Sequence, residues 1–284
     1  KFSRRLRLSS FVFSFVFLGL LTSSPEFAVG RQAVADNDPE IFIGNLIGGV
    51  VVLFLFVIPL LAVFGNGINL KNELENKTLV LTLLVILMPI ITIIDKKVSS
   101  LEGLFLIVLY AILIFFVERK HGLFDKENNG LFDIKSYSYK DILKIFMGIG
   151  LVFISSNIIL NQTLFFADFF NIPAFYISLV ILALGTNLPE LSLAIRSAVA
   201  GKKDIAMGDY LGSAAANTFL FGLFTILIGG VVLTVNNFIV TFLFVASSLI
   251  FFYFFYYTRK FISRVNGLLM LGTYVVFVII EFIG

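Results

Sequence analysis

Apolar runs of membrane-spanning length follow one another along the whole chain, separated by short polar segments. A helix needs about 20 apolar residues to cross the hydrocarbon core of a bilayer. The pattern therefore predicts an all-α polytopic membrane protein with nine helices. We expect these helices at 9–36, 40–65, 78–95, 101–117, 141–161, 169–200, 204–231, 235–257 and 261–283.

The clearest polar segment divides the chain near its middle, at 118–140. It contains His121, Asp125, Lys126 and Asp133, and such a polar run cannot lie in lipid. We therefore expect a linker at 118–140 between a first half, 1–117, and a second half, 141–284.

Basic residues are sorted between the predicted loops. When Lys1 to Arg7 are placed in the cytoplasm, the linker and most other basic loops also fall there, whereas Asp36, Asp38 and Glu40 fall outside. This positive-inside bias predicts a multi-pass protein of the cell membrane with a cytoplasmic linker and an external C-terminus. The basic start and the apolar run after it imitate a signal peptide, but the pattern favours a first transmembrane helix that continues through Glu26.

Composition agrees with the helix pattern and excludes several classes. The chain is 59% hydrophobic and 14% charged, against about 25% charged in soluble domains. It has no cysteine, which excludes disulfides and thiolate metal sites. The net charge of +3 does not indicate a nucleic-acid partner, because the basic residues lie in loops. The lipid bilayer is the partner that the composition predicts, and no obligate protein partner is inferred.

Two segments match each other across an offset of 164 residues. Thr22–Glu26 corresponds to Thr186–Glu190, and Gly44 and Gly48 correspond to Gly208 and Gly212. The second motif helix comes five helices after the first, and an odd number reverses its direction through the bilayer. This is the inverted repeat of many secondary transporters. The helix equivalent to 141–161 in the first repeat would precede Lys1. We therefore expect an N-terminal truncation and ten helices in the intact protein.

Each copy of the repeat carries a glutamate inside an apolar helix. A carboxylate there costs about 2.5 to 3.5 kcal/mol, so two at equivalent places suggest a paired ion site. The preceding prolines, Pro25 and Pro189, remove backbone donors and free carbonyls near Thr22 and Thr186. Carboxylates and carbonyls are the oxygen ligands that Ca²⁺ takes. Glu26 and Glu190 are thus predicted to face each other around one divalent ion.

Two further polar residues follow the second glycine motif. Asn217 reaches the depth of the glutamates, where a ligand and an interhelical hydrogen bond are about equally expected. Asp209 is shallower, and we expect it to be a solvated acid at a vestibule rather than a direct ligand. The repeated glycines are expected mostly to let helices approach closely.

The paired motif, Gly-Thr-x-x-Pro-Glu followed by Gly-[Asn/Asp]-x-x-Gly-Ser, resembles the alpha repeats of the cation/calcium exchanger superfamily, which includes sodium/calcium exchangers. Gly185–Glu190 with Gly208–Ser213 is the closer copy. The resemblance implies calcium-binding carboxylates at two positions, threonine carbonyls beside them, hydroxyls at sodium sites, and a central amide. By that resemblance the site residues are Glu26, Glu190, Thr22, Thr186, Ser23, Ser213, Asn217 and, where the family has serine, Asn187.

The first repeat is the divergent one. Gly49 stands where the family has serine, Leu53 where it has asparagine, and Leu21 where the motif opens with glycine. In the second repeat, Asn187 replaces a serine and Ala214 an asparagine. The acidic pair is retained and several sodium ligands are not, so calcium binding is better supported than the sodium stoichiometry.

Three functions stay open at this point. The first is a Ca²⁺/Na⁺ antiporter that works by alternating access around the glutamate pair. The second is a related H⁺-coupled exchanger of Ca²⁺ or another cation, which the losses at Gly49, Leu53 and Asn187 favour. The third is a membrane protein with the same fold and no transport, in which the glutamates are buried protonated acids. We do not expect an enzyme, because an intramembrane aspartyl protease would need a second Asp in an apolar helix besides Asp209. No cofactor is expected; the small cations are cargo.

Overall fold

The computed structural model describes residues 14–70, 75–120, 139–200, 203–229, 231–234 and 238–283. Within these ranges nine helices follow one another, two of them broken. They are α1a (a π-helical turn Ser14–Leu18, then Gly19–Thr22), α1b (Ser24–Ala35), α2 (Pro39–Val52, a π-helical turn Leu53–Val57, then Ile58–Phe64), α3 (Asn76–Thr92), α4 (Ser100–Lys120), α5 (Tyr139–Phe170), α6a (Ala174–Ile177, a π-helical turn Ser178–Leu182, then Ala183–Thr186), α6b (Leu188–Ala200), α7 (Lys203–Ile228), α8 (Ile239–Thr258) and α9 (Arg264–Ile283).

The polytopic all-α prediction is confirmed, and burial separates central from peripheral helices. Six of the described helical segments are long and apolar enough to cross a membrane. The apolar windows of α2 and α7 are 83% and 72% buried, whereas those of α4 and α9 are each 28% buried. Helices that keep large apolar side chains exposed suit contact with lipid. The two glycine-motif helices, α2 and α7, therefore form the centre of the bundle.

The 164-residue repeat seen in the sequence is also present in the helix bounds. The π-helical turn Ser14–Leu18 corresponds to Ser178–Leu182, and α2 (Pro39–Phe64) corresponds to α7 (Lys203–Ile228). Lys96 and Lys260, one offset apart, share a positive φ. Equivalent helices pack across the repeats: α1a against α7 and α6a against α2, α4 against α7 and α9 against α2. The halves are thus interlocked around a pseudo-twofold arrangement.

Two glycines permit these cross-repeat contacts. A Cβ atom on Gly48 would overlap the Leu179 carbonyl oxygen, and one on Gly212 would overlap the Phe15 carbonyl oxygen. Leu179 and Phe15 are themselves one offset apart. Backbone-to-backbone contact of this kind requires small residues, as predicted from the spacing. It draws each broken helix against the central helix of the other repeat.

Two short antiparallel ladders, which the sequence pattern did not predict, also join the halves. Their strands are β1 (Ile68–Asn69), β2 (Lys97–Ser99), β3 (Val231–Leu233) and β4 (Phe261–Ile262). The pairs are β1 with β4 and β2 with β3, so each ladder takes one strand from each repeat.

The predicted break between helices 141–161 and 169–200 was placed wrongly. Helix α5 continues to Phe170, and the turn follows at Asn171, which has a φ of 54°. The segment predicted as a loop, 162–168, lies within α5, where Thr163 Oγ1 donates to the Ile159 carbonyl at 2.9 Å. Asp168 is consequently an exposed helical residue and not a loop residue. Most of the predicted linker, 121–138, lies outside the described residues, as do 1–13.

Candidate ion site

The two motif glutamates lie in equivalent places, each in the first turn after a helix break. The breaks fall at Ser23, between α1a and α1b, and at Asn187, between α6a and α6b. Glu26 is 1% exposed and Glu190 is fully buried, and the two carboxyl groups interact electrostatically. The N-terminus of a helix carries partial positive charge, which favours a carboxylate there. Both acids therefore lie buried in the interior of the bundle, at helix N-termini that favour a carboxylate.

Glu190 belongs to a chain of side-chain hydrogen bonds in the second-repeat half of the site. Ser213 Oγ, on α7, donates to Glu190 Oε1 at 2.8 Å. Ser213 Oγ also lies 3.2 Å from Ser23 Oγ, which is at the helix break of the other repeat. Ser23 Oγ in turn donates to the Gly19 carbonyl at 2.8 Å. All three side chains are buried. The chain leaves Glu190 Oε2 without a hydrogen-bond partner.

A matching pair of contacts links each threonine to the glycine-motif helix of the opposite repeat. Thr22 Oγ1 lies 3.1 Å from Asp209 Oδ1, and Thr186 Oγ1 donates to Asn45 Oδ1 at 3.1 Å. Asn45 and Asp209 are one offset apart, so these contacts are equivalent. One partner is an amide and the other an acid, which makes the two halves unequal in charge.

The expectation for Asp209 was wrong. Its side chain is fully buried, because α1a packs over this part of α7, and it is not a solvated acid at a vestibule. Asn45, also fully buried, was not singled out from the sequence. The signal that could have found both residues is the 164-residue offset, which aligns them in the same way as it aligns the glutamates.

Glu26, in the first-repeat half, receives no serine hydroxyl, and the Thr186 side chain that interacts with its carboxyl group lies outside hydrogen-bonding geometry. Both of its carboxylate oxygens are buried without a hydrogen bond. The residue equivalent to Ser213 is here Gly49. A Cβ atom on Gly49 would lie 2.9 Å from Asn217 Nδ2 and 3.2 Å from Asn187 Nδ2. Two amide side chains thus fill the space that a serine at position 49 would need.

Asn187 and Asn217 are anchored through their nitrogens. Asn187 Nδ2 donates to the Ala183 carbonyl at 2.8 Å, and Asn217 Nδ2 donates to the Leu46 carbonyl at 3.2 Å. Their Oδ1 atoms are buried and have no hydrogen-bond partner. An amide held in this way presents an oxygen, which is the end that ligates a hard cation.

The site therefore contains six buried side-chain oxygens without a partner, although most buried polar atoms in proteins are hydrogen-bonded. Among the described residues, no three His, Cys, Asp or Glu side chains group closely enough to hold a metal ion by themselves. A cation here would need amide, hydroxyl or carbonyl oxygens in addition to carboxylates. The six are Glu26 Oε1 and Oε2, Glu190 Oε2, Asp209 Oδ2, Asn187 Oδ1 and Asn217 Oδ1.

An opening of about 370 Å³ reaches the site beside Asn187. Its walls come from both repeats, with Val52 and Phe56 on one side and Leu184 and Leu188 on the other. Gly185 also lines it, and nothing lies within 4 Å of a Cβ atom placed there. The first-repeat equivalent of Gly185 is Leu21.

All eight predicted site residues lie in or beside this arrangement. Seven are buried, and Thr22 is half-buried. The hydrogen bonds described above connect four of them, namely Thr22, Ser23, Glu190 and Ser213. Thr186 is connected through its hydrogen bond to Asn45, and the amides of Asn187 and Asn217 both lie beside Gly49. Glu26 is tied to it by its electrostatic interaction with Glu190.

Comparison with known proteins gives consistent matches. The family model described as "Sodium/calcium exchanger protein" matches residues 1–118 and 140–283. A putative antiporter, CaxA, of Alkalimonas amylolytica is 26% identical over 238 residues, which are 81% of this chain and 74% of that protein. The inner membrane protein YrbG of Escherichia coli is 24% identical over 204 residues, 69% of this chain and 62% of that protein.

One solved structure extends the likeness to the fold. The sodium-calcium exchanger NCX_Mj, soaked with Na⁺ and Sr²⁺, matches with a TM-score of 0.72 at 21% identity. The match covers 97% of this chain and 88% of that one.

Proposed function

The chain belongs to the sodium/calcium exchanger protein family, and from that premise we propose that it exchanges Ca²⁺ for Na⁺, binding the ions between Glu26 and Glu190. It is a membrane transporter and not an enzyme. The observation that supports Ca²⁺ binding at this place is the cluster of six buried side-chain oxygens without a hydrogen-bond partner, which includes oxygens of both glutamates. Leaving such groups empty costs free energy, and a bound cation would recover it.

Each group has a distinct part in this proposal. The carboxylates of Glu26 and Glu190 balance the two charges of Ca²⁺, while the oxygens of Asn187 and Asn217 complete its shell with backbone carbonyls near Thr22 and Thr186. Ser213 orients Glu190 through their 2.8 Å hydrogen bond. Ser23 and Ser213 supply hydroxyl oxygens for Na⁺, so that the two ions compete for Glu190.

The two broken helices support a mechanism of alternating access. Each break lies beside one of the acids, and each broken helix packs against the central helix of the other repeat. Movement of α1 and α6 relative to α2 and α7 would open the acids to one side of the membrane and then the other. The repeats are residues 1–117 and 141–284, with a cytoplasmic linker and an external C-terminus in the cell membrane.

A second candidate is coupling to H⁺. The observation that favours it is that Gly49 gives Glu26 no hydroxyl oxygen, whereas Ser213 gives one to Glu190. The first-repeat half would then lack a sodium ligand, and a proton on the carboxyl group could take the place of that sodium ion.

The test is uptake of radioactive calcium into liposomes that contain the purified chain. Vesicles loaded with Na⁺ and diluted into Na⁺-free medium should accumulate calcium, and Glu190→Gln should abolish that uptake. Glu281→Gln is the matched control, since Glu281 is a buried acid of α9 that accepts from Thr241 Oγ1 at 2.6 Å, away from the site. Uptake driven only by a pH gradient would support the second candidate. No uptake under either gradient from folded protein would refute antiport.

A further inference from the structure

Asp209 is the one carboxylate in the site to which neither the motif nor the proposed calcium shell gives a role. It is fully buried, its Oδ1 lies 3.1 Å from Thr22 Oγ1, and its Oδ2 has no partner. No basic side chain of the described residues forms an ion pair with it. A buried charge without a partner is costly, and it persists where a cation or a function requires it.

The equivalent residue in the other repeat shows that the charge is not needed for the contact with threonine. Asn45 accepts from Thr186 Oγ1 at the same distance, 3.1 Å, with a neutral amide. An asparagine at position 209 would therefore satisfy Thr22 equally well. The acid adds only a negative charge and a free oxygen, so the hydrogen bond does not explain why an acid is there.

When all three carboxylates of the site are ionised, their charges do not balance without a further cation. Asp209 interacts electrostatically with both Glu26 and Glu190, so three carboxylates lie near one another inside the bundle. Ca²⁺ neutralises two of them. The described part of the chain has no group of three acids that could surround a single ion. The third carboxylate therefore belongs to a neighbouring position and not to the calcium shell itself.

We infer that Asp209 and Thr22 form a second cation position, occupied by a monovalent cation such as Na⁺ beside the glutamate pair. Asp209 Oδ2 and Thr22 Oγ1 are its protein ligands, both hard oxygens. The inference rests on the proposed function, because it assigns one more residue to the same site. The equivalent position beside Thr186 and Asn45 lacks the charge and does not hold such an ion.

The test separates Na⁺ binding from Ca²⁺ binding in purified protein. Asp209→Asn should weaken Na⁺ binding, measured by calorimetry without Ca²⁺, by about 10- to 100-fold. Ca²⁺ binding in the absence of Na⁺ should fall by less. Unchanged Na⁺ affinity in folded Asp209→Asn would overturn the inference.

An exchange of the two residues sharpens this test. The double variant Asn45→Asp with Asp209→Asn moves the acid to the equivalent place beside Thr186 and should regain Na⁺ binding. Failure of a folded double variant to regain it would count against a position defined by a threonine and an acid.

A measurement on the native chain keeps the inference testable if the variants do not fold. Isotope-labelled aspartate shifts its carboxyl infrared bands away from those of glutamate. Addition of Na⁺ should then change an aspartate band, and no change at saturating Na⁺ would overturn the inference. Native protein that binds neither Na⁺ nor Ca²⁺ would instead refute the proposed function itself.

Discussion

Replacement of Ser213 by alanine tests whether the hydrogen-bonded half of the site prepares Glu190 for ions. Ser213 is 1% exposed, and its hydroxyl donates to Glu190 Oε1 at 2.8 Å. A hydrogen bond to a charged group contributes about 1.5 to 3 kcal/mol. If that contribution is made mainly in the ion-bound state, Ca²⁺ affinity should fall about 10- to 150-fold. Na⁺ affinity should fall at least as far, since the hydroxyl is also a proposed Na⁺ ligand.

Calorimetric titration of detergent-solubilised Ser213→Ala with each ion measures both effects. Ser248→Ala is the matched control, because Ser248 is equally buried on α8 but bonds only to the Val245 carbonyl, at 2.7 Å. The control should bind both ions as the native chain does. Native affinities in folded Ser213→Ala, or an equal loss in Ser248→Ala, would refute the reasoning.

Three further predictions have defined outcomes. Gly49→Ser should lower the free energy of unfolding by about 1 to 3 kcal/mol, because the new side chain overpacks the space beside the amides. Adding Asn187→Ser should restore part of that stability and increase Na⁺ binding, as measured by denaturation and calorimetry. A double variant that recovers no stability would contradict the packing argument. Gly212→Ala should fail to fold, because its Cβ meets the Phe15 backbone; a monodisperse, stable variant on size-exclusion chromatography would contradict this. Gly185→Leu, which copies the residue at its equivalent place, should fold normally but slow calcium uptake by narrowing the 370 Å³ opening; native uptake rates would refute a role for that opening.

The repeat made the principal features of the site predictable from sequence. A glutamate in an apolar helix is costly, and its recurrence with proline, threonine and glycine at one offset identified the acids, the breaks and the central helices. Gly48 and Gly212 could be assigned to close packing because i, i+4 spacing of small residues has that meaning in membranes. These inferences needed only local spacing and the cost of polar groups in lipid.

What failed depended on tertiary packing. Asp209 was assigned to solvent from its distance along α7, but α1a covers it, and a distance along one helix does not include a neighbouring helix. The break predicted between 161 and 169 lies within α5, where the Thr163 hydroxyl donates to the Ile159 carbonyl of the preceding turn instead of ending the helix. The amides that face Gly49 come from α6 and α7, so their contact there could not be read from the first repeat alone.

The two halves of the site differ in hydroxyl groups and in charge, and these differences suggest that they bind different ions. The second-repeat half has the hydroxyl chain from Ser213 to Ser23, whereas the first-repeat half has amide oxygens and a glutamate without a donor. Amide and carboxylate oxygens suit the divalent ion, and the hydroxyls with Glu190 suit Na⁺. The substitutions at Ser213 and Gly49 test this division from opposite sides.

The most direct test of the central claim is a crystal structure of the chain grown with Ca²⁺, in which the ion is located by its anomalous scattering. We predict a peak inside the bundle, about 2.3 to 2.6 Å from carboxylate oxygens of both Glu26 and Glu190. Anomalous density bound to other residues, or an occluded protein that transports calcium with no ion between the two acids, would contradict the account.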